Sequence, residues 1–170
     1  IGTPVPFASG SVFPLLGKEI TIRLIPGHPA TPALCGKDLC VGGRTDTLGG
    51  RVRRWTRNRA LEEIKPRAHR MASEIGKSPA RISMRDTRSR WGSCSRDGNL
   101  NFSWRLVMAP EWVLNYVVAH EVAHLQELNH SYRFWALVDR LNPDSKPARK
   151  WLRANGADLH RSGRELRPDN

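Results

Sequence analysis

The side chains most able to do chemistry lie between residues 120 and 130, which read HEVAHLQELNH. His120 and His124 are one helical turn apart, so both imidazole rings can reach the same metal ion. Glu121 falls about 100° around the helix from His120, where it can hold an activated water without being a ligand itself. This spacing predicts a hydrolytic zinc site, and it favours that site over a helix that carries two unrelated histidines.

A third histidine, His130, follows six residues after His124. On a continuous helix it would lie about 600° further round, on the opposite side, so the helix must end before it. Asn129 tolerates the left-handed conformation that ends helices, and Ser131 is a good N-cap for a new helix. His130 is therefore predicted to fold back from a turn as the third ligand. The alternatives are a solvent-facing His130 and a carboxylate ligand from the next helix, with Asp139 as the main candidate.

The helices that must position these residues are predicted from apolar side chains at three- and four-residue steps. They cover 52–75, a stretch from Pro110 through His124, 131–141 and 147–155. Pro66 must kink or interrupt the first of them, because proline lacks an amide proton and its ring crowds the preceding turn. Gly156 is predicted to close the last one.

Strands are predicted where apolar and polar residues alternate or where short apolar runs lie between turn residues. They cover 20–24, 39–41, 81–84, 91–95 and 100–104. The last two read as a hairpin around Asp97 and Gly98. Together the elements predict an α+β protein, with a small, mostly antiparallel sheet packed beside several helices.

A set of short motifs resembles one known family. Residues 90–94 read RWGSC, 100–106 read LNFSWRL, the histidine motif follows, and NHS at 129–131 precedes FW at 134–135. In order and spacing they resemble the YgjP-type metallopeptidase-like proteins, bacterial zincins related to the SprT-like and WLM-domain families. The resemblance is close over 81–159 and looser over 11–80.

The resemblance implies a zincin-like fold with its metal site on the HExxH helix, and a zinc-dependent hydrolase activity. It implies His120, His124 and His130 as the zinc ligands and Glu121 as the catalytic carboxylate. Family members usually carry a further β-rich N-terminal section, and this chain has no initiator Met. Residues 1–50 are therefore expected to be a truncated β-rich segment.

Length and composition agree with one compact unit, in which 51–170 forms the hydrolase domain. At 170 residues and 39% hydrophobic content the chain can bury one sizeable core. No apolar run approaches the roughly 18 residues that cross a membrane, and no signal-peptide pattern opens the chain. Three cysteines, an odd number, argue against a secreted disulfide framework. A cytoplasmic protein with no membrane partner is expected.

The chain has a net charge of +12, which makes anionic partners a second hypothesis. Residues 51–90 hold thirteen Lys or Arg against four Asp or Glu, a net +9 in this segment alone. Such density attracts phosphate polyanions, so two alternatives stay open: a zinc-dependent nucleotide phosphohydrolase and a nucleic-acid-associated protein. A solvated helix face explains the same charge, and no nucleic-acid-binding motif accompanies it.

The favoured function is a metallopeptidase that acts on a peptide or protein substrate. Glu121 takes the proton of a zinc-activated water as the water attacks the peptide carbonyl, and returns it to the leaving amine. The developing oxyanion needs a donor; Tyr132 is the first candidate, Arg90 the second and His160 the third. By resemblance to zincins, the segment 91–95 or its hairpin partner is expected to pair with an extended substrate.

Overall fold

The fold combines two small mixed sheets with four α-helices within residues 2–165, which are the residues that the computed structural model describes. The strands are β1 (Val12–Leu15), β2 (Lys18–Leu24), β3 (Ala33–Cys35), β4 (Asp38–Val41), β5 (Arg81–Arg85), β6 (Gly92–Cys94) and β7 (Asn99–Ser103). The helices are α1 (Leu48–Glu74), α2 (Glu111–Ala123), α3 (Tyr132–Leu141) and α4 (Ser145–Arg161), and a 3-10 helix spans Trp104–Met108. The predicted α+β class is confirmed.

Both sheets contain parallel as well as antiparallel pairs. The N-terminal sheet has the order β1-β2-β4-β3, in which β2 and β4 are parallel. The second sheet has the order β5-β7-β6, in which β5 and β7 are parallel and β6 and β7 form the predicted hairpin. Three of the five strand pairs described are antiparallel. The sequence predicted a single, mostly antiparallel sheet, and it did not predict the two parallel pairs or the division into two sheets, because alternation along a strand identifies the strand but not its distant partner. In the order β5-β7-β6, strand β6 lies at an edge of the sheet.

Two helices differ from their predicted extents: α1 begins before residue 52, and α4 extends beyond 147–155 at both ends. Helix α1 continues without interruption through Pro66, and the Arg67 guanidinium donates a hydrogen bond of 2.7 Å to the Glu63 carbonyl oxygen on the same turn. Helix α4 continues past Gly156, which does not have a positive φ. A β-carbon at Gly156 would lie 3.3 Å from Cζ2 of Trp91. This glycine therefore permits close packing of α4 on Trp91 and does not end the helix.

The hydrophobic core includes side chains from both sheets and from the helices. Ile22, Leu39, Ile64, Phe102 and Leu114 are all at most 1% exposed. Helix α1 packs against the 3-10 helix and α2, and α2 also packs against α3, α4 and β6. The helix that carries the HExxH motif is thus held from several sides. None of the helices described is both long enough and apolar enough to cross a bilayer.

The N-terminal sheet packs against the segment that leads into α2. The Leu16 amide donates to the Val107 carbonyl oxygen at 2.7 Å, and a β-carbon at Gly17 would lie 3.3 Å from Cα of Pro110. Gly17 has a φ of +78°, which favours glycine, so this turn is fixed by both its backbone and its neighbour. The predicted division at residue 50 stays a prediction, and residues 166–170 of the second segment lie outside the described residues.

Candidate metal centre

Three imidazole nitrogens converge at the C-terminal end of α2. Nε2 of His130 is 3.3 Å from Nε2 of His120 and 3.2 Å from Nε2 of His124. A tetrahedral zinc ion with Zn–N bonds of about 2.0–2.1 Å holds its ligand nitrogens about 3.3 Å apart. These three residues, here called the histidine cluster, are therefore spaced as ligands of one metal ion.

The third histidine can reach the other two because α2 ends before His130. Helix α2 stops at Ala123, and His124 follows in a helical conformation before a turn begins. The end of the helix before His130 is thus as predicted, but Asn129 has no positive φ and does not cause it. Ser131 is the predicted N-cap of α3, since its hydroxyl oxygen accepts a hydrogen bond from the Phe134 amide at 3.4 Å.

Hydrogen bonds at the far ring nitrogens orient the lone pairs of the cluster. Nδ1 of His124 donates to the Glu127 carbonyl oxygen at 2.9 Å, and Nδ1 of His120 lies 3.2 Å from the Tyr116 hydroxyl oxygen. A proton on Nδ1 leaves the Nε2 lone pair of each ring directed at the common point.

Burial favours the neutral form of two rings of the cluster. Burial, followed by the charges of His124 and His130, lowers the pKa of His120 to about 3. Burial also lowers the pKa of His124. Neutral imidazoles are the form that binds a metal ion, so these two rings fit a bound cation.

Aromatic rings of α3 form the wall behind the cluster. Phe134 is fully buried; its ring centroid lies 4.4 Å from that of His124, in a stacked arrangement, and 4.9 Å from that of His120. The Trp135 ring lies 5.7 Å from His120 and carries the Arg149 guanidinium over its face at 4.6 Å. The rings of the cluster are therefore in contact with aromatic side chains of α3 on one side.

Glu121 lies beside the point where the nitrogens converge. Its side chain is buried, and Oε1 is 3.9 Å from Nε2 of His120. Burial raises the pKa of the Glu121 carboxyl to about 7, while the positive charge of Arg90 acts in the opposite direction. Strand β6 passes directly over this side chain, since a β-carbon at Gly92 would lie 2.7 Å from Cγ of Glu121.

Cys94, on the same strand, is half-buried, and burial followed by the charge of Glu121 raises the pKa of its thiol to about 11.

Two of the predicted oxyanion donors differ in their relation to Glu121. Arg90 is exposed on the loop before β6, and its positive charge acts to lower the pKa of the Glu121 carboxyl. Tyr132 is 83% exposed and takes part in none of the ring contacts that surround the histidine cluster.

The third candidate oxyanion donor and the alternative third ligand each contact other residues. His160 is half-buried and stacks on Trp91, with ring centroids 4.3 Å apart. Asp139, the alternative third ligand, accepts a hydrogen bond of 2.9 Å from the Ser145 hydroxyl and is not part of the cluster that could hold a metal. The geometry brings His130, and not Asp139, to the other two histidines.

Two residues of the site were not singled out from the sequence. Tyr116 could have been found, because it lies four residues before His120 on the same helix, where side chains meet. Arg149 comes from α4, far from the motif in sequence. Its proximity depends on packing, and no local pattern signals it.

Part of the basic segment 51–90 is bound by the rest of the protein. Five arginines of α1 donate to described partners, mostly backbone carbonyl oxygens and carboxylates; they are Arg51, Arg53, Arg57, Arg59 and Arg67. These contacts are structural. No contact within residues 2–165 favours a nucleic-acid surface, and that alternative stays a prediction.

The fold and the histidine cluster define an α+β protein with a site that could hold one metal ion beside a buried carboxylate. Residues 2–155 match the family described as YgjP-like, metallopeptidase domain, and the chain belongs to that family, as its motifs indicated. No curated protein matches the chain, and no solved structure does. Membership supports a hydrolase, and it implies a metal ion and a peptide or protein substrate.

Proposed function

We propose that the chain is a zinc-dependent metallopeptidase in which His120, His124 and His130 hold the zinc ion. The observation that carries this proposal is the convergence of three Nε2 atoms, at 3.2 and 3.3 Å, next to a buried carboxylate. Three neutral imidazoles are a common ligand set for catalytic zinc and leave a coordination position open. When bound, zinc supplies a Lewis acid that polarises a carbonyl oxygen and makes water nucleophilic near neutral pH.

Glu121 is the general base of the proposed reaction. It takes a proton from the attacking water and returns it to the leaving amine. A pKa raised to about 7 supports both halves of this role, because the group then exchanges a proton readily near neutral pH. Arg90 supports the ionised form of the carboxylate through its charge.

Substrate binding is assigned to the free edge of β6. Within the described residues β6 pairs on one side only, with β7. An extended peptide can add to such an edge by backbone hydrogen bonds. Because Gly92 brings β6 against Glu121, a peptide on this edge passes the proposed catalytic carboxylate.

Stabilisation of the oxyanion is assigned to Arg90 among the three candidate donors. Its proximity to Glu121 supports this role. The exposure of Tyr132 and the stacking of His160 on Trp91 lend no support to theirs. No contact of the described residues favours nucleotide hydrolysis over peptide hydrolysis, and a cytoplasmic location likewise stays a prediction.

The test compares wild type with Glu121→Gln, each loaded with zinc and incubated with an unfolded protein and a mixed peptide pool. Cleavage should fall by more than about 100-fold, because glutamine cannot accept the proton of the water. The zinc content, measured by mass spectrometry, should stay at one ion per chain in both proteins.

Glu19→Gln is the matched control, since Glu19 is exposed on β2, away from the histidine cluster, and its carboxylate makes no described hydrogen bond or ion pair. This variant should cleave like wild type, and a chelator should stop both. Cleavage that persists in zinc-loaded Glu121→Gln would contradict the proposal. Release of phosphate from nucleoside triphosphates without any peptide cleavage would contradict it as well.

A further inference from the structure

A cleft with two arginines lies on the face of the β5-β7-β6 sheet opposite to the proposed catalytic carboxylate. It has a volume of about 230 Å³ and is formed by β5, β6, β7 and the loop before β6. The side chains that offer it charge or hydrogen bonds are Arg85, Thr87, Arg90, Ser93, Asn101 and Ser103. We call this site the arginine cleft.

Gly92 separates the arginine cleft from the point of the proposed hydrolysis. It lines the cleft on one face of the sheet, and on the other face a β-carbon at Gly92 would clash with Glu121. Side chains of an extended peptide alternate between the two faces of the sheet that it joins. A peptide on the edge of β6 with one residue over Glu121 would therefore direct the neighbouring residue toward the face of the cleft.

The positive charge of the cleft is not neutralised within residues 2–165. Neither Arg85 nor Arg90 forms an ion pair with a described carboxylate. The neighbouring acidic residue, Asp86, is instead bound by the buried Arg105 and lies 3.5 Å from Arg164.

Arg85 is held at the wall of the cleft, because its Nε donates to Oδ1 of Asn101 at 3.1 Å. A guanidinium fixed in this way is suited to planar, two-point recognition of a carboxylate.

We propose that the arginine cleft binds a carboxylate of the peptide substrate through Arg85, while Arg90 keeps its proposed role at the oxyanion and adds positive charge to the cleft. The carboxylate belongs either to an acidic side chain next to the bond cleaved or to the C-terminus of the peptide. Pockets that enclose whole small molecules have volumes of about 300–1,000 Å³, so a cleft of 230 Å³ suits a side chain or a terminus better than a nucleotide. This specificity rests on the proposed metallopeptidase function.

The test uses peptides that differ at one carboxylate. One pair carries Glu or Gln at the position beside the cleaved bond, and a second pair ends in a free acid or an amide. The peptide with the carboxylate in the preferred place should have a kcat/KM about 10- to 100-fold higher, the range expected for hydrogen bonds to a charged group. The pair that shows the difference identifies the source of the carboxylate.

Arg85→Gln should remove the preference, measured as the ratio of kcat/KM within a pair. Arg88→Gln is the control, because Arg88 is on the same loop but does not line the cleft. It should keep the wild-type ratio. Equal rates within both pairs for wild type would overturn the proposal, and so would an unchanged ratio in Arg85→Gln.

Binding to zinc-loaded Glu121→Gln separates this proposal from the proposed activity. The same labelled peptides are titrated by fluorescence polarisation, with and without Arg85→Gln. Tighter binding of the carboxylate peptide that is lost with Arg85→Gln supports the cleft assignment, even if wild type cleaves no peptide and the proposed activity fails. Equal binding within each pair, or displacement of all peptides by a more tightly bound nucleoside triphosphate, overturns it.

Discussion

The histidine cluster and helix α1 use polar side chains in opposite ways. Arg67 of α1 donates to Glu63, Glu111 and Asn115, and Arg51 donates to several backbone carbonyl oxygens. In the cluster, by contrast, Nδ1 of His124 has a protein acceptor while three Nε2 atoms point at one another. Charge density therefore says little about where this protein binds a ligand.

The physical reason is that a partly buried polar group must have a partner. Most arginines of α1 bind carbonyl oxygens or carboxylates of the protein itself, so they contribute to its stability. The three converging Nε2 atoms have no donor between them, and a cation would supply the missing partner.

The largest effect is expected on zinc affinity, when the third residue of the histidine cluster is removed. His130→Ala should weaken zinc binding by more than about 100-fold, since even partners of metal ligands contribute 10- to 100-fold. The thermal midpoint of the metal-free protein should change little, because His130 is exposed. Zinc affinity is measured by competition with a chelating dye.

Asp139→Ala is the control for this measurement and should bind zinc like wild type. Unchanged affinity in His130→Ala, together with a loss in Asp139→Ala, would move the third ligand to the carboxylate.

The two regions should also differ in their tolerance of a single methyl group. Gly92→Ala forces a β-carbon to within 2.7 Å of Glu121 Cγ, and displacement of a catalytic group by about 1 Å can reduce kcat about 100-fold. Gly50→Ala in α1 meets only the end of Arg53, at 3.7 Å, and should raise the free energy of unfolding by up to about 1 kcal/mol. Peptide cleavage and chemical denaturation measure the two effects; a fully active Gly92→Ala would be inconsistent with the placement of β6.

A smaller effect is expected from the hydroxyl that orients a ligand. Tyr116→Phe should weaken zinc binding about 10-fold, because Nδ1 of His120 loses its partner while the ring packing is kept. Tyr132→Phe removes an exposed hydroxyl and should leave the affinity unchanged. Equal affinities for wild type and Tyr116→Phe would show that the hydroxyl does not orient the ring.

The smallest effect, on α1, should be one of stability alone. Arg67→Met keeps most of the aliphatic chain but loses the contacts to Glu63, Glu111 and Asn115, so the free energy of unfolding should fall by about 1–2 kcal/mol. Arg70→Met, on the same helix but exposed, should stay within about 0.5 kcal/mol of wild type. Zinc affinity should be unchanged in both, and a weaker affinity in Arg67→Met would link the two regions.

The parts of the fold that sequence could predict are those set by local spacing. The hairpin of β6 and β7, the start of α2 and the N-cap at Ser131 were all predicted from neighbouring residues. The end of α4 was not, because Gly156 reads as a terminator, and only its contact with Trp91 shows its role. The pairing of β5 with β7 was likewise out of reach, since alternation carries no information about a distant partner.

The sequence by itself determined the metal ligands as candidates, because His120 and His124 follow from the helical period and His130 from the need to end that helix. It also determined the family, through motifs in a fixed order. The tertiary structure decided which polar residues have partners, which strand lies against Glu121 and where the arginine cleft opens. Those features join segments far apart in the chain, and their positions depend on packing that no local pattern encodes.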